Sequence, residues 1–476
     1  MTLLGLPESD FEPTQVASRT YLSRRRPPRL DAATTICVMI ALLTLVPSRY
    51  IVPGMTDLGR PALILGLLMV GWWISVRLTQ HLVLPGPQPI RWALLAYTLS
   101  MLASYAVGQL RGLTTMEANG ADRALLYLAI FAGVALAAAD GIANWARLDR
   151  VLWVLVWCGT AMALIGLVQF AFSLDLTSIF EIPGLESKKE ILGFEERGSG
   201  IRVASTATHY IELATVLATI LPFAVHQAIF ADTPRRRRLA ILMSVILAAG
   251  VLTTISRSGV LAVAVVAVAL VPTWTWRLRY NALVIAVMLA SALAVARPGL
   301  VKTFLSLFDD PSSNPAFTVR QARYPLVWYY VGERPWLGRG TGTYLYPQYQ
   351  ILDNQWLAFL ISNGILGVIA MAVMHLTGIV AALLARRRAT TDEIRHLCAV
   401  LVSTQVIALL VAGTYDSMSF LTYATLVALT LGLCGTVWRL THRSLQIRTA
   451  APRWFAAKST NQFMRHYIRP ETPSSQ

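Results

Sequence analysis

Charge is what this sequence is short of. Asp, Glu, Lys and Arg make up 14% of its 476 residues and 55% are hydrophobic, whereas a soluble globular domain carries about 25% charge. That balance excludes a water-soluble globule. Cysteine is almost missing: Cys37, Cys158, Cys398 and Cys434 lie in apolar segments without CxxC spacing. Neither a disulfide framework nor a zinc site is indicated, and the four read as packing residues. No small-residue cleavage pattern follows the first apolar segment, so that segment is expected to remain as an anchor. Acidic residues are also few, 25 against 41 Lys and Arg, for a net charge of +16.

Long apolar runs are plentiful. They recur near residues 33–48, 61–77, 90–108, 124–140, 151–174, 207–230, 239–255, 259–275, 281–296, 356–384, 397–413 and 419–438, close to the roughly 17 to 25 residues that cross about 30 Å of hydrocarbon. This predicts an all-α polytopic membrane protein with about twelve transmembrane helices. An even count puts both termini on one side, together with Arg24–Arg26, Arg235–Arg238 and Arg386–Arg388. Of the 41 Lys and Arg, 26 fall on that side and 15 on the other. The richer side is expected to be the cytoplasm. The basic excess is therefore a matter of topology. It does not call for a nucleic-acid partner, even though Arg235–Arg238 looks like a phosphate-binding run.

The expected organisation is a basic cytoplasmic tail over residues 1–32, a membrane domain over 33–438 and a second cytoplasmic tail over 439–476. Two outer loops, 175–206 and 297–354, are long enough to hold structure. In the first, Glu186–Arg197 is charged and mildly amphipathic, which predicts a short helix on the membrane surface. The second opens with the turn-rich Asp309–Pro315 and then favours a helix from Phe317 to Val331, with Arg320, Tyr324, Val327, Trp328 and Val331 on one face. Pro335–Gly342 breaks it. Gly338, Gly340 and Gly342 form a GxGxG with no strand before it, so a tight turn is expected and not a nucleotide loop. Asp309 and Asp310 precede proline and read as a loop, not a metal site. His375, deep in the tenth segment, is expected to hydrogen-bond a neighbouring helix.

Charged groups at membrane depth are costly and raise a functional question by default. Arg257 lies in the outer hairpin TTISRSG. Glu212 sits one turn inside the sixth segment after His209. Arg202 precedes that segment, and Asp353 stands at the outer mouth of the tenth. Singly, the arginines would snorkel to headgroups and Glu212 would form a structural ion pair. Together they converge on one outer surface, which fits an anionic diphosphate, because the guanidinium fork pairs bidentately with phosphate oxygens. Tyr324, Trp328, Tyr329, Tyr330, Trp336, Tyr344, Tyr346 and Tyr349 would stack on sugar rings or form an interfacial aromatic belt.

The stretches TTISRSG, VRQARYPLVWYYVGERPWLGRGTGTY and DNQWLAFLISNGILGV, in this order and with this spacing, resemble the O-antigen ligase and polysaccharide polymerase family of bacterial membrane glycosyltransferases. GIRVASTATHYIE resembles that family's approach to the sixth helix. The resemblance covers residues 150 to 385. It implies a GT-C-like fold in the bacterial inner (cytoplasmic) membrane. It also implies inverting glycosyl transfer, without metal or cofactor, from a polyprenyl-diphosphate-linked glycan donor to a glycan or lipid acceptor among the membrane lipids of the outer face. Arg257, Arg320 and Arg202 would then neutralise the leaving diphosphate. Asp353, where ligases of the family usually carry histidine beside Asn354, would take the acceptor proton. His209, Glu212, Asn354, Tyr324, Arg323 and Arg339 would bind substrate. The missing histidine weakens the match to a lipopolysaccharide ligase and favours a polymerase or a ligase for another acceptor. A transporter or flippase of lipid-linked oligosaccharides is the rival reading, and a scaffold with a decayed site the third. Transporters put charge at broken helices near the midplane and show internal repeats, and the sequence shows neither.

Overall fold

The computed structural model describes residues 31–55, 57–78, 87–179, 181–188, 194–197, 200–296 and 321–442. Each of the twelve apolar segments is helical: α1 (Ala32–Leu45), α2 (Pro61–Leu78), α3 (Pro89–Arg111), α4 (Thr115–Gly141), α5 (Trp145–Phe172), α6 (Tyr210–Phe230), α7 (Pro234–Thr253), α8 (Arg257–Leu270), α9 (Trp276–Ala296), α11 (Gln355–Arg388), α12 (Asp392–Val411) and α13 (Leu421–Leu440). The loop helix α10 (Tyr324–Glu333) lies between α9 and α11. Of the described residues, 77% are helical. Eight of the helices are long and apolar enough to cross a membrane. Four of the twelve predicted spans fall outside that set. α1 and α8 have 14 residues each, a rise of only about 21 Å; α7 and α9 are the others.

Capping side chains fix most helix starts. Asp31, Thr114, Asn144, Thr233, Asn354 and Thr391 each accept a backbone N–H of the first turn, and Thr114 with Glu117 completes a capping box. α13 is buried along its whole length and forms the axis of the bundle, with α4, α11, α12 and α6 around it. Small residues allow that closeness, since Gly432 and Gly435 press on Ala135, Ala138 and Ala139 of α4. His375 Nδ1 lies 2.9 Å from Gln405 Oε1 and ties α11 to α12, the expected helix-to-helix bond.

Three local expectations are corrected. Glu186–Arg197 is not helical at either end. Glu186–Ser187 (β2) pairs antiparallel with Tyr50–Ile51 (β1), and Phe194–Arg197 (β3) pairs with Gly200–Val203 (β4). Partner strands override the amphipathic pattern. The loop helix runs over Tyr324–Glu333, residues 317–320 lie outside the described set, and the helix buries a different face from the expected one. Its buried face is Val327 and Val331, packed on Leu352 and Ile361, while Tyr324 and Trp328 are exposed.

The third correction is a broken helix. Gly364 in α11 stands at φ 66° and ψ −170°, so the helical bonds from residues 365 and 366 back to 361 and 362 cannot form. Pro335–Gly340 replaces them. Arg339 N and Gly340 N donate to Ile361 O and Ser362 O, both at 2.9 Å, and Ile365 N and Leu366 N donate to Pro335 O (2.8 Å) and Trp336 O (3.1 Å). Each freed group is satisfied by backbone, as a helix at membrane depth requires. A Cβ at Gly338 or Gly364 would overlap the facing backbone.

Candidate active site

One short hairpin gathers three helix starts at one end of the bundle. Residues 412–420 join α12 to α13, and they touch the start of α6, the start of α8 and the start of α11. At α6, Thr215 Oγ1 lies 2.8 Å from Tyr415 OH, and the His209 ring stands 5.8 Å from Phe420. At α8, Ser258 Oγ lies 2.8 Å from Thr414 Oγ1, next to Arg257. At α11, Asn354 N donates to Asp416 Oδ1 (3.0 Å) and Gln355 N to Ala412 O (2.8 Å). The hairpin therefore sets three predicted site segments against one another.

The α6 side is the most tightly built. Glu212 is fully buried. Its Oε2 accepts Thr208 N at 2.8 Å, and its Oε1 accepts Thr422 N at 2.8 Å and Tyr423 N at 3.2 Å. It thus caps the positive end of α13 and fixes the turn before α6. His209 is the N-cap of α6 and accepts Ile211 N through Nδ1 (3.2 Å). Arg202, on β4, is buried; it donates to Tyr210 OH (2.8 Å) and covers the Tyr210 ring at 4.7 Å. Tyr210 in turn lies 4.0 Å from the His209 ring.

The other two starts are strained. Ile255, two residues before Arg257, has φ 49°, and Asp353 has φ 52°. A left-handed β-branched residue is an outlier, and such strain gathers at functional sites. Arg257 is exposed at the first turn of α8. Asn354 caps α11 through Leu357 N (3.2 Å) and donates to Gly413 O (3.3 Å). Arg323 forms an ion pair with Asp353 at 3.3 Å, the carboxylate side chain remaining 43% exposed and so open to a substrate.

Asp416 is the residue that sequence reasoning missed. It lies beside Asp353. Burial holds its carboxyl above the usual carboxylate range and the Asp353 charge adds to this, while the amides of Asn354 and Asp353 and the charge of Arg323 oppose it. Nothing in GTYDSMS singles it out; a carboxylate in an otherwise uncharged stretch between two apolar segments was the only signal.

Arg339 is drawn away from this cluster. It pairs with Glu333 at 3.0 Å, donates to Tyr349 OH at 3.1 Å and covers the Tyr330 ring at 4.5 Å. Tyr349 then donates to Glu117 (2.8 Å), which pairs with Arg111 (2.7 Å), so the network moors the loop to the α3–α4 connection. Tyr330, Tyr344 and Tyr349 pack on one another. Burial, ahead of Tyr330, pushes the Tyr344 phenol up to about 12. Tyr324, Trp328, Tyr329, Trp336 and Tyr346 stay exposed. Arg320 lies outside the described residues.

Residues 242–372 match the family model described as O-Antigen ligase, which bears out the resemblance over just over a quarter of the chain. The match runs from α7 into α11 and stops before the hairpin. No curated protein matches the chain.

Proposed function

We propose that this chain, which carries an O-antigen ligase domain and is a glycosyl-transferring membrane enzyme of cell-surface glycan assembly, joins polyprenyl-diphosphate-linked glycans to a glycan or lipid acceptor. The reading places it in the cytoplasmic membrane with all twelve apolar helices crossing, a GT-C-like arrangement, both termini inside and the site at the outer face. The observation that carries the chemistry is the hairpin, which sets Arg257, Asp353 and the Arg202–Tyr210–His209 stack around one end of the bundle.

In this mechanism the acceptor hydroxyl oxygen attacks the anomeric carbon while the bond from that carbon to the donor diphosphate breaks, with inversion. Asp353 takes the hydroxyl proton as general base. Arg257 and Arg320 receive the diphosphate, whose charge grows as the bond breaks, and fixed cations there lower the barrier most. These cations supply the countercharge, so no metal is assigned a step. Arg202 acts through the ring of Tyr210. Arg323 holds Asp353, and Tyr324 beside it offers an exposed ring to a sugar. Asn354 fixes the turn that presents Asp353, and Asp416 fixes Asn354. Glu212 and Arg339 support the site from behind.

The broken helix does not favour transport. Its gap is closed by the backbone of Pro335–Gly340, whose one charged residue, Arg339, turns its side chain to Glu333 and Tyr349; Asn363 and Thr341 bond each other there.

The test replaces Arg257, Arg320 and Asp353 by alanine, one at a time, in cells whose surface glycan is sized on a gel. Each variant is expected to lose the mature glycan at normal protein level. Full-length glycan from all three would refute the assignment.

A further inference from the structure

A cavity of about 320 Å³ lies between α2, α3, α4, α11 and α13, with Met418 and Ser419 of the hairpin among its lining residues. That volume is at the lower end of ligand pockets, which run from about 300 to 1,000 Å³. Its walls include Tyr97, Leu128, Phe131, Phe359 and Ala424. Arg123 is the one charged group among the described residues that line it.

Arg123 stands where α4 changes character. The preceding turns hold Glu117, Asn119 and Asp122, and from Ala124 to Ala139 there is no charged residue. Arg123 therefore marks the upper edge of an apolar stretch, the level at which a bilayer presents its phosphates. Nearby carboxylates are engaged elsewhere: Asp122 accepts from Tyr105 OH (2.8 Å) and Glu117 pairs with Arg111 (2.7 Å). Among the described residues Arg123 has no ion pair, and its Nε reaches only Asn119 O at 3.4 Å. Tyr344 also lines the cavity, and its buried hydroxyl has no hydrogen-bond partner among the described residues. The rim is accessible, since Arg123 and Tyr127 are half-buried and Ser419 is exposed.

We propose that this cavity holds an anionic phospholipid of the surrounding bilayer, its phosphate on Arg123 and one acyl chain between Leu128, Phe131 and Phe359. Charge matching selects the occupant. One arginine answers the single charge of a phosphodiester, whereas the diphosphate reading draws on two, Arg257 and Arg320. Basic pockets between transmembrane helices bind lipid headgroups in this way. Gln355 lines the cavity, and its side chain accepts Met418 N at 2.8 Å, which ties that wall to the hairpin. The lipid site stands independently of the glycosyl-transfer reading.

The test uses the full chain, delipidated in a neutral detergent and returned to phosphatidylglycerol or phosphatidylcholine, with bound lipid counted by native mass spectrometry and unfolding followed by temperature. Phosphatidylglycerol is expected to be retained several-fold better. Arg123→Gln should abolish that preference, and Ala424→Phe, which fills the cavity, should reduce retention of both lipids while unfolding in one transition. Equal retention of the two lipids by the unaltered protein, or a preference that survives Arg123→Gln, overturns the proposal. Farnesyl diphosphate distinguishes the other source. Protection by it should survive Arg123→Gln, and loss of that protection in this variant would make the cavity the donor's own seat and defeat the proposal.

Discussion

Asp353 and Asp416 are neighbouring carboxylates with different surroundings, and environment divides their roles. Asp353 is half-exposed beside Arg323, while Asp416 is desolvated and held by two backbone amides. Since the folded protein binds the Asp416 proton more readily than the unfolded chain does, this group stabilises the fold below its ordinary range, and that contribution is lost as pH rises through its raised value. Asp416→Asn keeps the acceptor for Asn354 N and removes the buried charge. It should melt no lower than the unaltered protein at pH 7, the difference narrowing on acidification, and keep transfer activity because Asn354 stays fixed. Thermal unfolding at two pH values beside glycan sizing would check this, and a melting temperature well below normal at pH 7 would count against it. Glu212 behaves oppositely. Glu212→Ala strands three buried N–H donors at about 1–3 kcal/mol each, so loss of folded protein in the membrane is expected before any specific loss of activity. Glu212→Gln, which keeps one acceptor oxygen for Thr422 and Tyr423, should recover part of it.

Among elements, α11 carries the sharpest dependence on single residues. Gly364→Ala places a Cβ against Trp336 and forces a side chain onto a φ/ψ combination essentially reserved for glycine, worth about 1–3 kcal/mol for the backbone alone. It should free Pro335–Gly340 from the gap, which faster amide exchange across residues 335–342 would report, with activity falling although no site residue has changed. Unaltered exchange would show that the gap tolerates the methyl. PWLGRGTG was legible as a turn because its glycines and proline punctuate the chain, and SNG was legible only as part of an apolar run. What could not be read is that the two complete each other, since swapping four backbone hydrogen bonds leaves no side-chain signature. The strands at 186–187 and 194–197 escaped for a related reason. Strand pairing is decided by partners far off in sequence, here Tyr50–Ile51 for the first.

For the whole molecule, apolar length alone located all twelve helices, because the bilayer tests each segment independently of its neighbours. The candidate site was legible as separate charges at one edge, Arg202, Arg257 and Asp353. The hairpin that assembles them was not, because 412–420 lacks any arginine and owes its place to packing. Side assignment rests on charge and can be tested directly. Arg235–Arg238, Arg386–Arg388 and Arg395 all sit at the end of the bundle opposite the hairpin, and anchoring that end in the cytoplasm satisfies the bias of positive charge toward the inner side. Two exposed positions report the two ends, Tyr346 in the outer loop and Thr390 between α11 and α12. With Cys37, Cys158, Cys398 and Cys434 replaced, a membrane-impermeant maleimide applied to intact spheroplasts should label Tyr346→Cys and leave Thr390→Cys unmodified until the membrane is opened. The reverse pattern would put the strained turns, Arg257 and Asp353 in the cytoplasm and remove the outer-face donor from the mechanism. Labelling of both in sealed cells would instead require an even number of crossings between them, so that α11, divided by its break at Gly364, would enter and leave the membrane on one side.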